Sequence, residues 1–392
     1  MAQRVGIEVS LACAEAVKLA RTDVVSAYPI TPQTHIVEHL AELVANGELE
    51  ADFIPVESEH SAMSACIGSV AAGARTFTSS SAQGLALMHE MLFIASAMRL
   101  PVVMAVANRA LSGPLNIWND HSDIMAERDI GWVQTFAENG QEVVDLTLHA
   151  FKVAEDPRVS LPTAINMDGF ILTHVIESIE LPDQKDVDAY LPPFKPLQIL
   201  DPGRPRSLGV VGGPEIYTEA RKAETVALEN AYAVVTEHFE GLRKQFGRAY
   251  KPVETYKSED AEVLFITMGS LGQTCMSAVD EMRAAGRKAG VVRIRLWRPF
   301  PAGDFIDAVK GARQIIVCDR AISPGACAAP VGAEIKSLLF NRKINNIYVS
   351  NPIIGLGGRD VTRQFFKDIY AQAVKDAASG KPMATEIMGV KE

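Results

Sequence analysis

The chain has 392 residues, 48% of them hydrophobic and 22% charged, with a formal net charge of -10. That length predicts two domains with ample core, and an acidic balance without a basic stripe excludes non-specific nucleic-acid binding. Five cysteines with no CxxC spacing exclude an iron–sulfur or zinc ligand set made by this chain alone and give no disulfide framework.

The N-terminal residues carry no signal-peptide pattern and no apolar run reaches membrane-spanning length, so a cytoplasmic protein that does not enter a membrane is expected. Residues 6–22, GIEVSLACAEAVKLART, read as an amphipathic helix leading to a short strand at 23–27. Next comes Tyr28-Pro29-Ile30-Thr31-Pro32-Gln33-Thr34, where two prolines stiffen a turn before a helix over 34–46. A strand end, a stiff turn and a helix form the place where open parallel α/β sheets put their ligands. Thr31 either lies at such a site or caps the helix.

Residues 53–84, FIPVESEHSAMSACIGSVAAGARTFTSSSAQG, read as strand, helix, strand and loop, with Gly73 stopping the helix. Alanine, glycine and serine dominate, so this backbone can pack close to a neighbour or a flat ligand. Glu59 falls in the first turn of the helix, where the macrodipole alone favours an acid. Alternatively, a carboxylate at the base of a small-residue cleft can hydrogen-bond a ring nitrogen and shift a heterocycle's tautomer. That is the chemistry of thiamine diphosphate, whose exocyclic amine becomes a base beside a glutamate.

A second apolar helix follows over 85–98, in which His89 reads as a packed or capping residue. Pro101 to Ala107 is an unbroken apolar run of the kind found in strands buried on both faces. It ends in Asn108-Arg109 and opens a long loop holding Trp118, Asn119, Asp120, His121 and Asp123. Loops of this size inside a domain are functional or mobile. The planar fork of Arg109 suits a substrate carboxylate, or an ion pair with Asp120 or Asp123. The aspartates and His121 read as caps rather than metal ligands.

A helix over 142–154 and a strand over 162–167 complete a doubly wound α/β pattern. Asp168-Gly169 reads as a turn: a diphosphate and magnesium motif would need an Asn soon after it, and none follows. Proline-rich extended chain over 181–214, a long helix over 215–246 and a linker over 251–260 separate a first domain, 1–250, from a second, 261–392. The second reads as a smaller α/β unit that is structural or touches a partner, and its GLGG at 355–358 is too short a signal for a dinucleotide site.

Four stretches together, AYPITPQT, IPVESEHSAMSACIGSVAAGARTFTSSSAQGLALMHE, ANRALSGPLNIWNDHSDIM and INMDGFILTH, resemble the alpha subunit of multi-subunit pyruvate:ferredoxin oxidoreductases. The segment from EVLFITMGSLGQT to RIRLWRPFP is similar to the transketolase C-terminal-like domain that follows in such chains. The resemblance implies a doubly wound, pyrimidine-binding domain for thiamine diphosphate, completed by a beta subunit that supplies magnesium and the diphosphate motif. Gamma and ferredoxin-like delta subunits are implied as further partners, with [4Fe-4S] clusters on partner chains, coenzyme A as co-substrate and ferredoxin as electron acceptor.

It implies that Glu59 contacts the aminopyrimidine, with Tyr28, Pro29, Ser81 and Gln83 completing the cofactor contacts. Thr31, Arg109 and Asn108 are implied on the substrate side, Arg109 at the 2-oxoacid carboxylate, and no metal is held by this chain. Threonine rather than arginine at 31 favours pyruvate over oxalate. A branched-chain 2-oxoacid enzyme and a thiamine-dependent carboligase or decarboxylase without electron acceptor are the alternatives.

Overall fold

The computed structural model describes residues 3–381 and 385–391. In chain order the first half holds β1 (Gln3–Glu8), α1 (Val9–Leu19), β2 (Val24–Ala27), α2 (Thr34–Ala45), β3 (Asp52–Pro55), α3 (Glu59–Ala71), β4 (Thr76–Ser80) and α4 (Ala82–Ala97). It continues with β5 (Val103–Asn108), α5 (Ser122–Ala126), β6 (Val133–Phe136), α6 (Gly140–Ala154), β7 (Thr163–Asp168), β8 (Ile176–Leu181), α7 (Gln184–Tyr190) and α8 (Pro214–Phe246). The second half holds β9 (Val253–Tyr256), β10 (Val263–Thr267), α9 (Leu271–Ala284), β11 (Ala289–Ile294), β12 (Leu296–Arg298), α10 (Ala302–Val309) and β13 (Gln314–Val317). After it come α11 (Pro330–Asn341), β14 (Tyr348–Ser350), β15 (Pro352–Ile353), α12 (Arg363–Ala378) and β16 (Glu386–Ile387).

The first sheet runs β12-β6-β7-β5-β4-β2-β3, parallel except for β12. Every residue of β5 and of β7 is buried, as expected of central strands covered by helices on both faces. The second sheet runs β14-β13-β10-β11-β9, parallel except for β9. Mixed α/β halves with parallel sheets are the fold that the sequence predicts. Among the described residues no helix is long and apolar enough to cross a membrane.

Three expectations are corrected, and one strand, β6, is not among those the sequence predicts. The helix expected over 6–22 begins only at Val9, because Gln3 to Glu8 pair antiparallel with β8, Gln3 opposite Leu181 and Glu8 opposite Ile176. The partner strand is too distant in sequence for local periodicity to reveal it. The expected linker contains β9, whose alternating Val-Glu-Thr-Tyr makes an edge strand on β11. The extended stretch after 181 holds the short helix α7, and β6 lies in a segment with no periodic signal.

The halves are welded by charge. Arg293 on β11 reaches Glu142 of α6 at 2.8 Å and Glu138 at 2.9 Å; Arg295 reaches Glu142 at 2.7 Å and Glu254 of β9 at 2.7 Å. Burial pushes the Glu142 carboxyl up, but the Arg295 and Arg293 guanidiniums outweigh it and leave the group below its usual range. Arg295 and Glu142 are 1% and 5% exposed, so removing one partner strands charge in a dry interface. Glu142→Gln is expected to cost about 3 kcal/mol in urea unfolding of the chain. The exposed Glu240→Gln should leave the midpoint unmoved; equal midpoints for both variants would contradict this account.

Candidate active site

The order of the first sheet reverses between β2 and β4: β2 is followed by β3 on one side, whereas β4 and β5 build the other. Loops leaving the carboxyl ends of β2, β4 and β5 meet there, at the usual ligand crevice of such sheets. The turn after β2 is pinned by Gln33, which is fully buried. Its Nε2 donates to Ser79 O at 2.8 Å and to Tyr28 O at 3.3 Å, and its Oε1 accepts from Ile30 N at 3.2 Å. Sequence reasoning did not single out Gln33, although a glutamine straight after two turn prolines was the available signal.

Glu59 is the first residue of α3, because the Ser58 hydroxyl caps the helix by accepting from Ser61 N at 3.2 Å. The side chain is buried, at 6% exposure, against Gly84 of α4. A Cβ on Gly84 would stand 2.7 Å from Glu59 Oε1 and would also strike Ser80 Oγ, so only glycine allows this approach. Ser80 Oγ and Gln83 Oε1 are buried without a hydrogen-bond partner. Tyr28, Pro29 and Thr31 are exposed on the turn. Ser81 differs from these, since its hydroxyl is spent on Ala107 O at 2.7 Å and ties β4 to β5.

Arg109 is 5% exposed. Its guanidinium makes neither of the ion pairs weighed for it: Nη1 donates to Thr31 O at 2.9 Å and Nε to Asn116 O at 2.8 Å. Asp123 instead accepts from the backbone of Ala82 at 3.1 Å and of Arg109 at 2.9 Å, and from Asn108 Nδ2 at 3.1 Å. Asp120 caps Ser122. Burial lowers the Arg109 pKa, with Asp123 opposing, which leaves a buried cation held by neutral carbonyls. Thr31 meets Arg109 through its main chain and does not cap α2, whose N-cap is Gln33. His89 pairs with Glu127 at 2.5 Å.

Asp168, read from sequence as a turn residue, is a hub between the halves. It is fully buried and takes Arg320 at 2.8 Å, His121 of the site loop at 2.9 Å and Ser270 through both backbone and hydroxyl. Asp120, His121, Asp123 and Asp168 are thus engaged within the chain, and among the described residues no cluster of three or more His, Cys, Asp or Glu could hold a metal. The site loop also touches the glycine turn at 355–358, through Asn116 Nδ2 to Gly357 O at 3.1 Å.

A doubly wound sheet with an acid over glycine at its switch point, followed by a smaller parallel sheet, defines a thiamine-enzyme architecture. Residues 15–240 match the family described as pyruvate flavodoxin/ferredoxin oxidoreductase, thiamine diphosphate-binding, and residues 261–366 match pyruvate:ferredoxin oxidoreductase core domain II. Pyruvate synthase subunit PorA of Methanocaldococcus jannaschii is 50% identical over 93% of each chain, and that of Thermotoga maritima 43% identical over 100% of this chain and 99% of its own. Ketoisovalerate oxidoreductase subunit VorA of Pyrococcus horikoshii is 45% identical, covering 94% of this chain and 93% of that one. The chain belongs to the pyruvate:ferredoxin oxidoreductase family and corresponds to its alpha subunit.

The fold is shared with the 2-oxoglutarate:ferredoxin oxidoreductase of Magnetococcus marinus, a structure with 2-oxoglutarate, coenzyme A and succinyl-CoA bound, at a TM-score of 0.70 and 19% identity. That match covers 94% of this chain and 65% of the other. A split-gene transketolase matches at a TM-score of 0.54 and 13% identity over 95% of this chain and 99% of its own.

Burial pushes the Asp168 carboxyl up, but Arg320 and His121 outweigh it and hold the group well below its ordinary range. A carboxyl depressed on folding contributes stability that is present above its unfolded pKa of about 4 and is lost as pH falls through the folded value. Asp168→Asn should therefore be less stable than the natural chain at pH 7 by about 3 kcal/mol and lose less between about pH 5 and pH 3. Parallel unfolding curves across that window would show that Asp168 does not carry the acid sensitivity.

Proposed function

We propose that this chain forms half of the catalytic centre that converts pyruvate and coenzyme A to acetyl-CoA and carbon dioxide, passing the electrons to ferredoxin. The observation that carries this reading is the buried Glu59 carboxylate over Gly84, with the Arg109 guanidinium held on Thr31 O of the turn after β2. Glu59 would hold the aminopyrimidine of thiamine diphosphate, and the unpaired Ser80 Oγ and Gln83 Oε1 would supply further polar contacts to it. When bound, the cofactor supplies the electron sink for breaking the bond between the 2-oxo carbon and its carboxylate. Glu59 would exchange a proton at the ring nitrogen, Arg109 would orient the 2-oxoacid carboxylate, and the turn bearing Tyr28, Pro29 and Thr31 would cover the ketone side. Asn108, implied on the substrate side by the sequence, is instead fully buried and spends its Nδ2 on Asp123 at 3.1 Å and Asn166 at 3.0 Å, which leaves no donor for a carboxylate.

The remaining parts belong to other chains. Asp168 is saturated by internal partners, which leaves the diphosphate and its Mg2+ to a beta subunit. Cys13, Cys66, Cys275 and Cys318 are buried and Cys327 is exposed, and among the described residues no three or more metal-ligating side chains come together, so the [4Fe-4S] clusters are assigned to the beta and ferredoxin-like delta subunits, with a gamma subunit completing the complex in the cytoplasm. Leu115 at 73%, Trp118 at 50% and Ile176 at 76% exposure supply apolar surface for such a partner to cover. A branched-chain 2-oxoacid is the second reading, favoured by the 45% identity to the ketoisovalerate oxidoreductase subunit. The ratio of kcat/KM for pyruvate to that for 2-oxoisovalerate decides between them.

In the assembled complex, Glu59→Gln should lower pyruvate-dependent viologen reduction at least a hundredfold, the scale of a lost acid–base group. Full activity in that variant would end the assignment. Arg109→Gln should raise KM for the 2-oxoacid and cost roughly a hundredfold in kcat/KM, about 2 to 3 kcal/mol, while leaving thiamine diphosphate occupancy intact. A wild-type KM would remove Arg109 from the substrate.

A further inference from the structure

The glycine turn of the second half meets the site loop at its centre. Asn116 Nδ2 donates to Gly357 O at 3.1 Å, Gly357 N donates to Asp120 Oδ2 at 3.2 Å, and Gly358 N donates to Asn119 O at 2.7 Å. Gly357 and Gly358 have φ of 55° and 81°, a region that disfavours other residues. A Cβ on Gly358 would lie 2.5 Å from Trp118 Cβ, so turn and loop are in backbone contact.

Asn116 faces both ways. Its carbonyl accepts Arg109 Nε at 2.8 Å, its Oδ1 accepts Trp118 N at 2.6 Å, and its Nδ2 is the donor to Gly357. One residue therefore separates the guanidinium from the second half of the chain. No carboxylate holds that guanidinium; two main-chain carbonyls do, so its aim depends on where those carbonyls lie. Thr31 O belongs to the turn pinned by Gln33, and Asn116 O belongs to a loop pinned by Gly357.

We propose that Asn116, clamped by the glycine turn at 355–358, is a positioning residue for Arg109, so that the second half of the chain sets affinity for the carboxylate of the substrate. This rests on the reading of Arg109 given above. A glycine-rich turn that resembles a nucleotide loop in sequence would then be a clamp between two parts of one chain.

The test is steady-state kinetics of the assembled complex with KM measured separately for the 2-oxoacid, coenzyme A and ferredoxin. Asn116→Asp keeps the shape and the acceptor for Trp118 N but places an acceptor against Gly357 O. It should raise KM for the 2-oxoacid about tenfold, the scale of one lost hydrogen bond, and leave the other two KM values unchanged. Gly358→Ala reaches the same loop from the opposite side and should move the same parameter. Fewer active sites at unchanged 2-oxoacid KM, or equal increases in all three KM values, would overturn the clamp. Arg109→Gln separates the two claims: a raised KM there with wild-type KM in Asn116→Asp sinks the clamp alone, whereas a wild-type KM in Arg109→Gln ends both.

Discussion

A single buried carboxylate, Asp168, fixes how the two halves of the chain meet. A carboxylate without partners in that environment would be driven to neutrality. Its charge is retained because Arg320 and Ser270 come from the second half and His121 from the site loop. The three can reach it together only when the second sheet is docked and the loop folded back. The next residue, Gly169, is so close to the Pro32 ring and to Asn108 O that a Cβ would stand 2.7 Å from Pro32 Cγ. The residue that joins the halves thus also supports the turn and strand end that frame the crevice.

Arg293 and Arg295 form a second ionic layer, and the contrast with Arg109 is informative. Those two arginines are matched by Glu138, Glu142 and Glu254, as buried guanidiniums ordinarily are. Arg109 is equally buried yet rests on two carbonyls, while the nearby Asp123 is occupied by backbone donors. Since a guanidinium stays protonated under such conditions, its charge is available to an incoming anion. Of these three buried arginines, Arg109 is the one held by main-chain carbonyls and not by carboxylates.

What the sequence made legible followed from local chemistry. The small-residue segment put Glu59 in the first turn of a helix, which is where α3 begins, and the long helix expected over 215–246 is α8. The apolar run at 101–107 could be recognised as a central strand because it is buried on both faces. The pairing of β1 with β8 and the crossing of β12 into the first sheet could not be read, because each depends on a partner more than a hundred residues away. The same holds for the site: Glu59, Thr31 and Arg109 stand in recognisable motifs, whereas Arg320 lies 152 residues from Asp168 and Gly357 241 from Asn116. Those contacts exist only in three dimensions.

The balance of satisfied and unsatisfied polar groups separates architecture from chemistry in this chain. Around Asp168 the carboxylate has its donors, and adding a ligand there would mean breaking them. Around Glu59 the opposite holds: Ser80 Oγ, which meets Gly84 together with the Glu59 carboxylate, and Gln83 Oε1 on the same helix as Gly84 are buried and unpaired, each at a cost of about 1 to 3 kcal/mol to the isolated chain. Interiors rarely tolerate such groups, and Gly84 lets the Glu59 carboxylate and Ser80 Oγ come closer than any residue with a Cβ would allow. Leu115, Trp118 and Ile176 are exposed apolar side chains on the surface of the chain.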